Sequence, residues 1–490
     1  YISFYVILCS KLNKIYLLRK RAVMATSDQA QFAPNSAAAR DIAYYLHPYT
    51  NIKAHEESGP LIINSGKGVF VYDDQGKEYI EGMAGLWCTS LGYGEERLAK
   101  AAYDQLLKMS YTQGFTHRSN ETAIDLAEKL ISIAPKGMSK VFFTNSGSEA
   151  NDTQIKIVWY YNNAIGRPNK KKIIGRKRAY HGITLAASSL TGVEYAQKGF
   201  DVPLERFLHV SSAHYWRDGE DGESEEEYTD RLAEELNQLI ISEGADTVAA
   251  FIAEPVMGAG GAIPPPKSYF PKIQTVLKNH DVLFIADEVI TGFCRTGNMF
   301  ATETYNLDPD LISVAKALSS AYLPIGAVMM KDEIYQGLRS GGDKFGMWNT
   351  GYTYSGHPAS AAVALETLKI YEEREILDHV RSVMPKFRER LMSFAEHPLV
   401  GDVRNVGLIG GIELSPDKKN KGVFDPNEKV APYFVSRAHE YGLILRAAPS
   451  DVIAFCPPLI ISEKEINLVM DRAEKALDDT WNHVQKKGLV

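Results

Sequence analysis

The 490 residues are 45% hydrophobic, enough for a large buried core and for two domains that share it. A net charge of −7 and a pI near 6.0 set up no field that would gather nucleic acid or an anionic membrane surface, so the expected partner is a small molecule. Cys9, Cys88, Cys294 and Cys456 are scattered without the paired spacing of a zinc site or a redox dithiol, which points to a reducing compartment, no disulfide framework and no metal.

Residues 1–23 precede Met24 and carry an apolar run too short to span a bilayer. Lys and Arg follow that run, whereas a secretory signal places its positive charge first. The stretch reads as translated upstream sequence outside the fold, with an organellar presequence as the alternative. The expected location is therefore the cytoplasm, or the mitochondrion if the leader is genuine. Residues 24–95 are expected to pack with a smaller domain, 96–350 to form a large domain and 351–490 the small one.

From Thr144 to Met330 short runs rich in Val, Ile and Phe (KVFFT, KKIIGR, VAAFIAEP, VLFIADEV, DLISVAK) alternate with helical patterns. Apolar on both faces, they suit buried strands of a mostly parallel sheet flanked by helices. Ile155, Val158 and Trp159 fall at i, i+3 and i+4, so a helix is expected from near Ser148. Lys170 to Lys172 read as exposed lysines before a strand, and Arg217 to Asp230 as a solvated acidic excursion leading into a helix. The last third is helix-favouring, with Ser462 and Glu465 as a capping box before Ile466, Val469, Met470 and Ala473. The whole reads as α/β with a smaller α+β domain.

Three features bear chemistry. Ser146, Gly147 and Ser148 lie in a strand-to-helix turn, where backbone N–H groups can close around a phosphate, although such a turn is more often a plain N-cap. Asp287 and Glu288 end an apparent core strand, at the rim where open α/β sheets place ligands, or else cap the next turn. Lys316 ends another, where desolvation would make its amine a better nucleophile, unless it merely snorkels over apolar surface. A phosphate anchor, a partner for a pyridinium nitrogen and a Schiff-base amine are together what pyridoxal 5′-phosphate chemistry requires.

TNSGSEAND, AYHG, FIAEPVMGAGG, LFIADEVITGF, SVAKALSSAYLPIGAV and GYTYSGHP occur here in one order. In that order the chain, from about Asp41 to its end, resembles the class III aminotransferases of PLP fold type I. Within them it is most similar to the amine or ω-amino acid:pyruvate enzymes, including the plant 4-aminobutyrate:pyruvate enzymes. The resemblance implies that Lys316 is the catalytic Schiff-base lysine and proton shuttle, and that Asp287 pairs with the ring nitrogen. It implies that Ser146, Gly147 and Ser148 hold the phosphate and that Tyr180 stacks on the ring, with His181 beside it and Val289 on the opposite face. Glu254 would be a supporting group, and Thr353 would reach the phosphate of a neighbouring subunit, which implies a homodimer or a dimer of dimers. Tyr49, Trp87, Phe115 and Tyr195 match the aromatic substrate pocket, and Arg446 matches a mobile arginine for a substrate carboxylate. Where relatives usually carry Phe this chain has Tyr49, and Cys294 stands in GFCRTG where they usually read GFGRTG. The expected reaction moves an amino group from an amine or ω-amino acid to pyruvate. The alternatives are an aminomutase or decarboxylase on the same fold, and a catalytically silent binding homologue. A nicotinamide enzyme is disfavoured because no G-x-G-x-x-G joins a strand to a helix.

Overall fold

A computed structural model describes residues 32–490, so the leader and Cys9 lie outside the described residues. Two compact units are present. The first ends at Ser65 and also takes in Tyr72–Lys77; the second is Gly66–Val71 with Glu78–Val490. The first carries two short helices, Ala37–Tyr44 and Ile52–Ser58, whose N-caps Ser36 and Asn51 accept from the amides of Ala39 and Ala54.

The second unit is built on a seven-stranded sheet: β1 Met138–Thr144, β2 Lys172–Arg176, β3 Phe207–Val210, β4 Val248–Ala253, β5 Leu283–Asp287, β6 Leu311–Val314 and β7 Gly326–Lys331. Their order is β1-β7-β6-β5-β4-β2-β3. The four pairings from β6 to β3 are parallel and the two made by β7 are antiparallel, so six of the strands share one direction. Their carboxyl ends therefore meet at one rim. All six residues of β4, Val-Ala-Ala-Phe-Ile-Ala, are buried, as expected of a strand covered on both faces. One face packs Phe251 and Phe284 against the helices Glu225–Glu243 and Tyr269–Asn279. On the other, Ile173, Leu311 and Val328 meet Ile155 and Val158 of the helix Gly147–Ala164. Burying each such side chain stabilises the fold by about 1.5–3 kcal/mol.

A second, antiparallel sheet contains β8 Val400–Val406, β9 Ile409–Leu414, β10 Arg446–Ala448 and β11 Val452–Phe455 in the order β8-β9-β11-β10. Arg404 links it to the first sheet's loops. Its Nη1 lies 2.7 Å from Glu413 Oε2, 2.6 Å from Asp402 Oδ2 and 2.9 Å from His214 Nε2, while Nη2 donates to Gly261 O at 2.9 Å. The helix-favouring stretch after Pro358 folds as two helices, Pro358–Glu373 and Ile376–Met392, divided where Glu375 takes a left-handed φ of 49°. Ser462 and Glu465 form the expected reciprocal cap, at 2.7 and 3.3 Å, on the helix Glu463–Lys486.

The helix expected near Ser148 is present, starting at Gly147 with the Ser146 hydroxyl capping the Glu149 amide at 3.2 Å. Two details depart from the sequence reading. Strands β3 and β7 gave no clear apolar run of their own, being short or laced with glycine and alanine. Lys170 is not exposed: its ammonium is buried, donating to Asp281 O and lying 3.3 Å from Asp281 Oδ2.

Candidate active site

The candidate residues are delivered by strand ends. Lys316 lies two residues past the end of β6 and holds a left-handed φ of 47°, an unfavourable conformation for a residue with a Cβ and one that clusters at functional sites. Its ammonium lies 5.5 Å from the centre of the Trp87 ring. Burial pulls the Lys316 pKa down, against the opposing pull of Cys88, Asp287 and Glu254, so a neutral, nucleophilic amine is made more accessible than on a surface lysine. Trp87 is buried on a strained turn, with φ of 46° at Ala84 and 58° at Trp87 itself. Its ring also receives the Arg446 guanidinium, 5.0 Å from the centroid. Among the described residues Arg446 makes no ion pair, so its charge is available to an anion.

Asp287, the last residue of β5, is 4% exposed. Asn151 Nδ2 donates to its Oδ2 at 2.8 Å and His181 Nδ1 lies at 2.8 Å from the same oxygen. The Val289 amide donates to Oδ1 at 3.1 Å. Asn151 also donates to His181 O at 2.6 Å, which ties the histidine loop to the helix Gly147–Ala164. Glu254, just past β4, accepts from the Tyr180 amide on Oε1 and from the Gly258 amide on Oε2, both at 2.9 Å. Burial pushes its pKa up; His181 lowers it and Asp287 raises it. Glu288, by contrast, faces away, holding the amides of Ala301 and Thr302 at 3.1 and 2.6 Å and the Thr291 hydroxyl. It is a structural acid, and burial pushes it up to about 7.

At the end of β1, Ser146, Gly147 and Ser148 open an 18-residue helix. A Cβ on Gly147 would lie 2.9 Å from a Val289 methyl, and one on Gly182 would lie 2.5 Å from Ser148 Oγ. Only glycines admit these approaches, so AYHG, the β1 turn and Val289 are pressed together. The Ile183 amide donates to Ser148 Oγ at 3.2 Å.

Pyridoxal phosphate fits this donor set. A helix N-terminus with small residues suits the phosphate, a buried carboxylate suits a protonated ring nitrogen, and a desolvated lysine amine suits the carbonyl. The buried His181 Nε2 and Asn151 Oδ1 have no hydrogen-bond partner among the described residues, as polar atoms arranged for a ligand would.

The other candidates, Tyr195, Phe115, Thr353 and Tyr49, are exposed. Tyr195 is exposed and lines a cleft of about 950 Å³ with Arg178, Glu194 and Ser450. Phe115 is exposed and packs on Gly351, where a Cβ would lie 2.8 Å from its ring. Thr353 is exposed, its carbonyl accepting from Tyr111 OH at 2.8 Å. Tyr49 lies in the first unit, 54% exposed and at φ 51°. The sequence reading passed over Asn151, one of several polar residues buried on the helix Gly147–Ala164, and Cys88, which adjoins Lys316 electrostatically.

Comparison with known proteins accounts for the arrangement. The family model for aminotransferase class-III matches residues 52–477. The chain is 48% identical over 458 residues to gamma aminobutyrate transaminase 3, chloroplastic, of Solanum lycopersicum, covering 92% of this chain and 88% of that protein. It is 49% identical over 440 residues to gamma-aminobutyrate transaminase 1, mitochondrial, of Oryza sativa subsp. indica, covering 90% and 85%. The omega transaminase from Pseudomonas jessenii, solved in complex with PMP, superposes with a TM-score of 0.90 at 50% identity over 92% of this chain and 99% of that one. A parallel-sheet rim bearing a lysine, a buried acid and a phosphate turn, with these matches, makes the chain a pyridoxal phosphate-dependent class III aminotransferase of PLP fold type I.

Proposed function

We propose that this aminotransferase takes the amino group from an amine or ω-amino acid, such as 4-aminobutyrate or β-alanine, and passes it to pyruvate, releasing an aldehyde or ketone and L-alanine. The observation that carries the substrate class is the Trp87 ring with the Lys316 ammonium 5.5 Å and the Arg446 guanidinium 5.0 Å from its centre. An ω-amino acid has an amine for the first and a carboxylate for the second. The names of the relatives given above point the same way.

Bound pyridoxal phosphate supplies the carbonyl that takes up the amino group and a ring that accepts the electrons released. In this reading Lys316 anchors it covalently, then holds at Nζ the proton taken from the donor carbon. Asp287 keeps the ring nitrogen protonated, with Asn151 and His181 fixing its carboxylate. Ser146, Gly147 and Ser148 hold the phosphate, Tyr180 and Val289 bracket the ring, and Glu254 supports the Tyr180 loop. Tyr49, Trp87, Phe115 and Tyr195 shape the amine pocket, and Arg446 pairs with a carboxylate or swings away for an apolar amine. The exposed Thr353 completes the phosphate site of a second copy, so the active form is a homodimer or a dimer of dimers. In this reading the large domain spans 96–350 and the small domain 351–490. The proposed location is the cytoplasm, or the mitochondrion if residues 1–23 are a genuine presequence, and cell fractionation decides between them. Among the described residues no helix is long and apolar enough to cross a membrane.

A donor panel run against pyruvate and against 2-oxoglutarate tests the reading. Alanine forming in step with consumption of 4-aminobutyrate or β-alanine supports it; a strong preference for 2-oxoglutarate overturns the acceptor.

A further inference from the structure

Among the described residues, two clusters of histidine and carboxylate side chains bring three ligand-type atoms within 4.8 Å of one another. They differ in what neutralises them. In the cluster of His214, Asp402 and Glu413 the place for a cation is already taken, because Arg404 Nη1 lies 2.6–2.9 Å from an atom of each. The second cluster, Asp41, His47 and His55, has no such cation: among the described residues Asp41 is paired with neither lysine nor arginine.

Its geometry is convergent. Asp41 sits on the helix Ala37–Tyr44, His55 on the helix Ile52–Ser58, and His47 in the connection between them. Both imidazoles turn Nε2 onto the one carboxylate. His47 Nε2 lies 3.0 and 2.8 Å from Asp41 Oδ1 and Oδ2, and His55 Nε2 lies 2.8 Å from Oδ1. The two rings lie against each other, their centroids 4.4 Å apart. The three side chains are 13–25% exposed, sheltered but open to an entering ion and a water ligand. A hollow of about 290 Å³ adjoins His47 and His55.

Two imidazoles and one carboxylate are a donor set for zinc and its first-row neighbours, whereas calcium and magnesium prefer oxygen ligands throughout. With metal–ligand distances of about 2.0–2.2 Å, tetrahedral neighbours stand roughly 3.3 Å apart. The Asp41–histidine spacings of 2.8–3.0 Å need to open by only about half an ångström, with the two Nε2 atoms already within 4.8 Å of one another and each ring carrying its remaining hydrogen on Nδ1.

We propose that Asp41, His47 and His55 bind one divalent transition-metal ion of the zinc type, with water completing the coordination. The ion ties the two helices to the connection between them, residues 45–51, which also carries Tyr49. None of its ligands belongs to the cofactor cluster.

Equilibrium dialysis of the pyridoxal phosphate-loaded, chelator-treated full chain against Zn²⁺ tests this, with elemental analysis of the bound ion. One zinc per chain in the wild type, with affinity at least tenfold weaker in each of His47→Gln, His55→Gln and Asp41→Asn, supports the site. Retained circular dichroism and bound-cofactor absorbance show that the variants are folded. A wild type that takes up no zinc, or folded variants that take it up as tightly as the wild type, overturns it.

Discussion

Replacing Asp287 by asparagine probes the acid at the end of β5 with almost no change of shape. The carboxylate is 4% exposed and holds hydrogen bonds at 2.8, 2.8 and 3.1 Å from Asn151, His181 and the Val289 amide. A buried charge of this kind shifts the pKa of an oppositely charged neighbour by about 1–3 units, and each unit is about 1.4 kcal/mol. A neutral amide therefore forfeits about 1.4–4 kcal/mol of the stabilisation of a protonated ring nitrogen, which lowers kcat about 10- to 1000-fold. The assay is steady-state alanine formation at saturating pyridoxal phosphate, so that loss of cofactor is not mistaken for loss of rate. A kcat within twofold of wild type would refute the role assigned to Asp287.

Other perturbations address the pocket, the titration and the framework. Arg446→Ala should raise KM for 4-aminobutyrate about 10- to 100-fold, the worth of roughly one charge-assisted hydrogen bond, and leave an aryl-alkyl amine within about threefold. Donor half-reaction kinetics measure it, and equal losses for both donors would count against the arginine. Burial pushes Glu81 up to about 7 from the 4.5 of an exposed glutamate, so the fold favours the neutral acid and loses stability as pH rises through that window. The loss is about 3 kcal/mol, complete above pH 7; Glu81→Gln should remove it, and a Tm difference from wild type that does not grow between pH 5 and 8 would contradict this. Arg404→Met removes the partner that the buried Glu413 and His214 share, while Arg217 keeps Glu413 Oε1, and should cost about 1.5–3 kcal/mol in denaturant unfolding. A loss under 1 kcal/mol would show that the cluster tolerates the missing charge.

How much of this could be read from the chain follows from where each residue sits. Asp287 and Lys316 end apolar runs, so the sequence marked each as a strand-end residue, but that they meet at one rim follows only from the strand order of the folded sheet, and Glu254 came only with the family resemblance. The Ser146–Ser148 turn was likewise legible, being small residues between a strand and a helix. Asn151 was not, since nothing local says that a helix amide will reach a carboxylate 136 positions away. Arg404 pairing with His214, 190 positions distant, is equally a product of tertiary folding. Lys170 misled because a lysine stem can turn inward when a carbonyl and a carboxylate of Asp281 wait for it. Phe115, Tyr195 and Thr353 carry no local signal at all, and as exposed side chains they would gain meaning only from a ligand or a second copy.

The central claim is that Lys316 carries the cofactor. Borohydride reduction of the pyridoxal phosphate-loaded enzyme, followed by peptide mass mapping, should place a single phosphopyridoxyl group on the peptide containing Lys316, and Lys316→Ala should lack both the adduct and turnover. An adduct on another lysine, or a Lys316→Ala enzyme with full activity, would contradict it.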